Sequence, residues 1–259
     1  MQSKTHIRAL YDSLPLPLKT IARAIARIRD RNPFSARAGR ERWISEVYTQ
    51  FGLDKRREIF LSIARFCHIN RPIDGYYFEF GCHEGNTFRM AYDNFHHLFD
   101  WTYVACDSFE GLPEIEEVDK QEIWKRGKLK TSEEDFIRLV TRHGVPKDRL
   151  ITVKGYYDQS LTTELKSTLL PKKAAVVYVD CDLYTSTVPV LNFIRDFLQR
   201  GTIIVFDDWN CFHGDPEKGE RRAFAEFRAR EPRLVFEDFV ETNESKAFIC
   251  LGERASVRE

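Results

Sequence analysis

The spacing of apolar positions changes once along the chain. Up to about residue 70, apolar residues recur every three or four positions, as in amphipathic helices. In LKTIARAIARI (18–28) they share one face and arginines take the other. Asn32-Pro33 ends that helix, because proline steers the residue before it away from helical geometry. Two more helices are expected over 42–51 and 55–67. From Gly75 onward, short apolar runs alternate with helical stretches. YYFEF (76–80), TYVAC (102–106), LITVKG (150–155), AAVVYVD (174–180) and TIIVFDD (202–208) predict five strands. Helices are expected over 86–95, 132–144, 186–199 and 220–230, with Ser132 as the N-cap of the second. RLVFEDFV (233–240) and KAFICLG (246–252) have the short connection of a hairpin. Strand–helix alternation of this kind predicts a Rossmann-like, mostly parallel sheet covered on both faces. Two domains follow: a helical extension, 1–70, and an α/β domain, 71–259.

In such sheets, ligands bind beyond the carboxyl ends of the strands. The unusual polar residues sit at those ends: Glu79, Asp107, Asp180, Asp207 and Asp208. The segment EFGCHEGNT (79–87) follows the first strand and opens a helix. Gly81 and Gly85 allow a tight turn and close approach to a ligand. The spacing is GxxxG, unlike the GxGxxG of dinucleotide sites. A methionine-type cofactor carries an ammonium and a sulfonium, both favoured by nearby carboxylates such as Glu79. Asp107 is placed to accept hydrogen bonds from ribose hydroxyls. The turn residues Cys82, His83, Gly85, Asn86 and Thr87 complete the expected cofactor set. The plainer alternative is a strand–helix turn with Asp107 capping the helix.

A second cluster joins VDCDLYTST (179–187) and FDDW (206–209). Acids gathered at one rim repel each other unless a cation neutralises them. Carboxylates suit hard cations such as Mg²⁺, which would favour the deprotonated form of a bound hydroxyl. Asp180, Asp207 and Asp208 are the expected ligands, and Asp182 is a fourth candidate, as ligand or general base. The alternative is that these acids cap following segments or hold a Lys or Arg. His213, in WNCFHGDPEKG, is a candidate base on a loop, or a surface histidine without a role. Tyr156, Tyr157, Tyr184, Trp209 and Phe212 are aromatics placed to stack on an adenine or sugar ring. The polar stretch 116–135 reads as a lid or insertion.

Composition narrows the class. Apolar residues make up 42% and charged residues 31% of 259, as in ordinary globular proteins. No apolar run reaches the roughly 18 residues of a membrane span, and no secretory signal is expected. The six cysteines form no CxxC pair, which fits a reducing cytoplasm better than a disulfide framework or zinc site. The net charge is zero, yet residues 1–66 hold 14 Lys/Arg against six acids. Such an arm suits nucleic acid, a membrane surface or an acidic partner domain, or more plainly a solvated helical face packed on the domain or on a second subunit; no nucleic acid is expected, and a homodimer is the oligomer favoured.

FEFGCHEGNT, DSFEGLP (107–113), VDCDLYTST, IVFDDW and GERRAFAEF (219–227) together resemble the macrocin O-methyltransferase family of class I methyltransferases. The resemblance covers roughly residues 75–251. It implies a seven-stranded sheet with an antiparallel last strand, S-adenosylmethionine as methyl donor, a magnesium ion and a sugar hydroxyl as acceptor. It places Glu79, Gly81 and Asp107 at the cofactor, Ser108 and Phe109 near its adenine, and Asp180, Asp207 and Asp208 at the metal. By that resemblance the first choice of acceptor is a glycan or glycosylated metabolite; the residues alone leave a sugar hydroxyl, a polysaccharide terminus and a small phenol open. Two other readings use the same pattern. One is a cephalosporin hydroxylase-like enzyme, against which the lack of a two-His-one-carboxylate set argues. The other is a binding module that keeps the fold without the chemistry.

Overall fold

The structure is a computed structural model that describes residues 36–254. The expected LKTIARAIARI helix and its Asn32-Pro33 break lie outside the described residues. The described residues fall into two units, divided between Lys55 and Arg56. In the first, helix α1 (Ala36–Trp43) runs into a π-helical stretch, Ile44–Thr49. The Trp43 and Tyr48 rings stack there, 6.0 Å apart.

Helix α2 (Gln50–Ile69) passes through Gly52, where the sequence pattern leaves a gap between two helices. Glycine keeps its N–H and costs only about 1 kcal/mol in a helix interior. Burial of Ile59, Phe60, Ile63, Ala64 and Cys67 on one face of α2 outweighs that cost. These five residues belong to the second unit, so part of the segment read as an extension packs in the sheet domain's core.

Seven strands form one sheet: β1 (Tyr76–Phe80), β2 (Thr102–Asp107), β3 (Leu150–Lys154), β4 (Ala174–Val179), β5 (Ile203–Phe206), β6 (Leu234–Glu241) and β7 (Lys246–Glu253). Their order is β3-β2-β1-β4-β5-β7-β6. Strands β1 to β5 are parallel, β7 runs antiparallel to β5, and β6 forms a hairpin with β7. Every residue of β1 and β4 is buried, which is why both read as continuous apolar runs. Successive side chains alternate between two cores. Tyr77, Tyr103 and Tyr178 join Phe60 in one, and Phe78, Val104 and Val177 join Leu191 and Phe224 in the other.

The connecting helices are α3 (Asn86–Phe95), α4 (Glu133–His143), α5 (Tyr157–Ser160), α6 (Thr163–Leu169), α7 (Tyr184–Ile194) and α8 (Gly219–Arg230). Ser132 caps α4, its hydroxyl accepting the Asp135 N–H at 3.2 Å. The chain steps outward from β1 to β3, then returns on the other side of β1 with β4. That reversal opens a crevice between the carboxyl ends of β1 and β4. Among the described residues, no helix is long and apolar enough to cross a membrane.

Candidate functional site

A cavity of about 820 Å³ lies at this crevice, within the size range of small-molecule sites. The turn after β1 forms one side of it. Gly81 has φ 90°, and a Cβ there would sit 1.7 Å from the carbonyl oxygen of Asp180. Only glycine lets β1 and β4 end this close together. Gly85 precedes α3 with φ 69°, and a Cβ would press on Phe136 and Val140 at 3.0 Å. Gly85 therefore supports the turn from behind and does not line the cavity.

Asp107 organises this turn. Its Oδ2 accepts the backbone N–H groups of Cys82 (2.7 Å) and His83 (3.0 Å), and its Oδ1 accepts that of Phe109 (2.7 Å). An ionised carboxylate offers about four acceptor sites, so one remains for a ligand, and Asp107 lines the cavity. Gly81, Cys82, His83, Asn86, Thr87, Ser108 and Tyr156 line it too. Ser108 is fixed by donating to the Gly111 carbonyl at 2.8 Å. Besides Gly85, two expected cofactor residues lie outside the cavity lining. Phe109, at φ 55°, packs against Phe136 with ring centroids 5.5 Å apart. Glu79 is fully buried beneath the turn, where the Tyr77 hydroxyl donates to its Oε2. Its Oε1 has no hydrogen-bond partner, and burial holds its carboxyl well above the usual range.

The ends of β4 and β5 form the other side. Asp180, Asp182, Asp207 and Asp208 all line the cavity. Burial, then repulsion from Asp207 and Asp208, pushes the Asp180 carboxyl well above its ordinary pKa. Asp208 is raised in the same way, by burial and by Asp182. Asp182, at φ 61° in the turn, is pushed up to about 7 by burial and by Asp180. Asp208 Oδ1 accepts weakly from the Cys211 thiol at 3.2 Å, while its Oδ2 is buried without a partner. Behind it, Glu220 in the first turn of α8 accepts the Asp208 N–H at 3.0 Å. Glu220 is also raised by burial, and its second oxygen lacks a partner.

Asp207 differs from its neighbours. Arg56, at the start of the buried face of α2, grips it with Nε at 3.1 and 3.2 Å from the two oxygens and with Nη2 on Oδ2. The Tyr178 hydroxyl and the Ser245 hydroxyl (3.1 Å) also donate to Oδ1. Among the described residues, no three His, Cys, Asp or Glu side chains already form a metal-binding group. Even so, the donor chemistry fits a hard cation. Asp180 and Asp208 are crowded carboxyls, and one oxygen of Asp208 is unsatisfied. His213 is exposed on a 3₁₀ turn, Phe212–Gly214, outside the cavity lining.

Several site residues were not expected from the sequence. Arg56, Trp124, Arg126 and Leu129 line the cavity, the last three from the polar stretch 116–135. That stretch is tied down by Asp119, which is fully buried. Its carboxylate accepts the Tyr184 N–H (2.7 Å), the Thr185 N–H (3.0 Å) and the Thr185 hydroxyl (2.6 Å). These are the free N–H groups that open α7, where a carboxylate also meets the positive end of the helix dipole. The stretch thus joins the wall of the site to the helix that follows Asp182.

The chain resembles known proteins in both sequence and fold. The family model described as macrocin-O-methyltransferase (TylF) matches residues 4–240. The O-methyltransferase NovP shares 21% identity and a TM-score of 0.59, over 75% of this chain and 79% of that one. CalS11, a calicheamicin methyltransferase, shares 17% identity and a TM-score of 0.62, over 91% and 93%. An apo structure of CalS11, described as a TDP-rhamnose 3'-O-methyltransferase, has 16% identity and a TM-score of 0.53, over 91% and 95%. Among curated proteins, none matches the chain. The family match spans most of the sequence and includes both strand-end clusters, so the chain belongs to the macrocin O-methyltransferase family and is an O-methyltransferase.

Proposed function

We propose that this enzyme takes its methyl group from S-adenosylmethionine and transfers it to a hydroxyl of a sugar, glycan or glycosylated metabolite, assisted by Mg²⁺. The observation that carries this reading is the meeting of two sites in one cavity. A glycine turn organised by Asp107 lies opposite a carboxyl cluster in which only Asp207 has an ion-pair partner. CalS11, described as a TDP-rhamnose 3'-O-methyltransferase, supports a sugar acceptor.

S-adenosylmethionine, when bound, supplies a methyl carbon activated by the adjoining sulfonium. The free acceptor site of Asp107 would take a ribose hydroxyl, and Gly81 lets β1 and β4 end side by side at the cavity. Asp182 takes the proton of the acceptor hydroxyl. The donor would leave as a neutral thioether that keeps the electron pair of its methyl–sulfur bond once the methyl group is bonded to the acceptor oxygen. Walls that hold both reactants in line supply a large part of the rate. Asp180 and Asp208 would hold Mg²⁺, joined by Asp207 where Arg56 gives way, and the ion would lower the pKa of the acceptor hydroxyl. His213 plays no part in this scheme.

Isotope-labelled S-adenosylmethionine, offered with a panel of glycosides, nucleotide sugars and phenols, tests the reading. Label is expected on a sugar hydroxyl, with EDTA slowing transfer at least about tenfold and Mg²⁺ restoring it. Transfer to phenols alone would remove the sugar acceptor. An unchanged rate in EDTA would remove the metal.

A further inference from the structure

Asp207 is fully occupied by its neighbours. Five donor contacts converge on its two oxygens, three of them from Arg56. A carboxylate has about four acceptor sites, so no lone pair is left over. A metal ion needs one of these lone pairs. It can gain full use of Asp207 only when the guanidinium moves or loosens its hold.

Arg56 is well placed for such a contest. Phe60, one helical turn later on α2, stacks on Tyr178 with ring centroids 5.3 Å apart. That packing fixes the helix beside β4, and Tyr178 in turn donates to Asp207. The Asp207 side chain is 2% exposed and that of Arg56 is 30% exposed, so the guanidinium lies between core and cavity. It also lines the cavity, so it has room to swing outward. Its planar fork matches a carboxylate in a way a lysine ammonium cannot.

We propose that Arg56 is a positioning residue: it is the resident counter-cation of the acid cluster, holding Asp207 and competing with a divalent ion for that carboxylate. The claim rests on the reading of the cluster as a metal site. With no ion bound, Arg56 keeps Asp207 in place and partly offsets the repulsion among the acids. When an ion binds, Asp207 is shared between the two cations, and each weakens the other's hold. Such coupling between ligands of one group is reciprocal.

The test uses full-length protein stripped of metal with EDTA and no methyl donor. Mg²⁺ binding is measured by calorimetry, and melting temperature is followed with and without Mg²⁺, for wild type, Arg56→Gln and Arg56→Lys. Arg56→Gln is expected to melt lower than wild type without metal. It should bind Mg²⁺ at least about fivefold more tightly and gain more in melting temperature from it. Arg56→Lys, which keeps the charge and loses the fork, should fall between the two. If Arg56→Gln does not fold, Arg56→Lys carries the test: Mg²⁺ binding tighter than wild type supports the competition, and binding equal to wild type overturns it. Mg²⁺ affinity in Arg56→Gln equal to wild type overturns the proposal and leaves the metal site standing. Binding in Arg56→Gln but not in wild type supports it. Absence of Mg²⁺ binding in every variant overturns both.

Discussion

At the β1–β2 end of the cavity, the Asp107 carboxylate receives three backbone N–H groups. At the β4–β5 end, Asp180, Asp182, Asp208 and Glu220 crowd together while Arg56 is committed to Asp207. The same sheet builds both ends, yet the carboxylate that organises the first is held by backbone N–H groups, while at the second only Asp207 has a comparable set of donors. A satisfied carboxylate fixes the backbone around it and needs no ligand to hold its shape. Unsatisfied buried carboxyls instead keep their protons or take up a cation. The first end is thus a preformed cradle, and the second is primed for charge chemistry.

The largest effect that tests this contrast is expected from Asp182→Asn. It should slow methyl transfer about 10²- to 10⁴-fold, while calorimetry shows donor affinity within about twofold of wild type. A matching loss of donor binding would mean the two ends are not separate. Asp107→Asn should act the opposite way. An amide nitrogen facing backbone N–H groups leaves a buried donor unpaired, at a cost of about 1–3 kcal/mol. Urea unfolding and donor affinity should both register it, and unchanged values would show that the cradle does not depend on this carboxylate.

A smaller effect is expected from pH. Asp180, Asp208 and Glu220 are raised when folded, and Asp182 is raised to about 7. Between the ordinary carboxylate range and that value, the folded protein holds more protons than the unfolded chain. Stability of the metal-free protein should therefore be greatest at low pH in this window and fall as pH rises from about 5 to 8. Mg²⁺ should flatten the trend, as read by melting temperature; a rise with pH would contradict the crowding. The smallest effect belongs to Ser245→Ala, which removes one of the bonds to Asp207 and should cost about 1 kcal/mol.

Most of the fold was legible because strand ends and turns carry local signals. YYFEF, AAVVYV and the glycines after β1 mark the strands, the turn and the crevice without any distant information. The acid cluster was legible for the same reason, since each carboxylate ends a strand. Arg56 was not, because its partner lies 151 residues away. A local clue did exist: Arg56 shares the α2 face of Ile59, Phe60 and Ile63, where a charge needs a partner. Glu79 shows a reading that the strand period would have refined. It stands two residues after Tyr77, so it faces the same core. Glu220 likewise shares the helical spacing of Ala223, Phe224 and Phe227, which marks it as buried. The family match sets aside the hydroxylase-like and non-catalytic readings.

Titration of S-adenosylmethionine into EDTA-treated protein by calorimetry tests most directly whether the cradle works without the acid cluster. One site per chain is expected, with a Kd in the micromolar range. That Kd should be the same in Asp182→Asn and weaker by about tenfold or more in Asp107→Asn. No binding to the metal-free enzyme, or equal binding in Asp107→Asn, would contradict it.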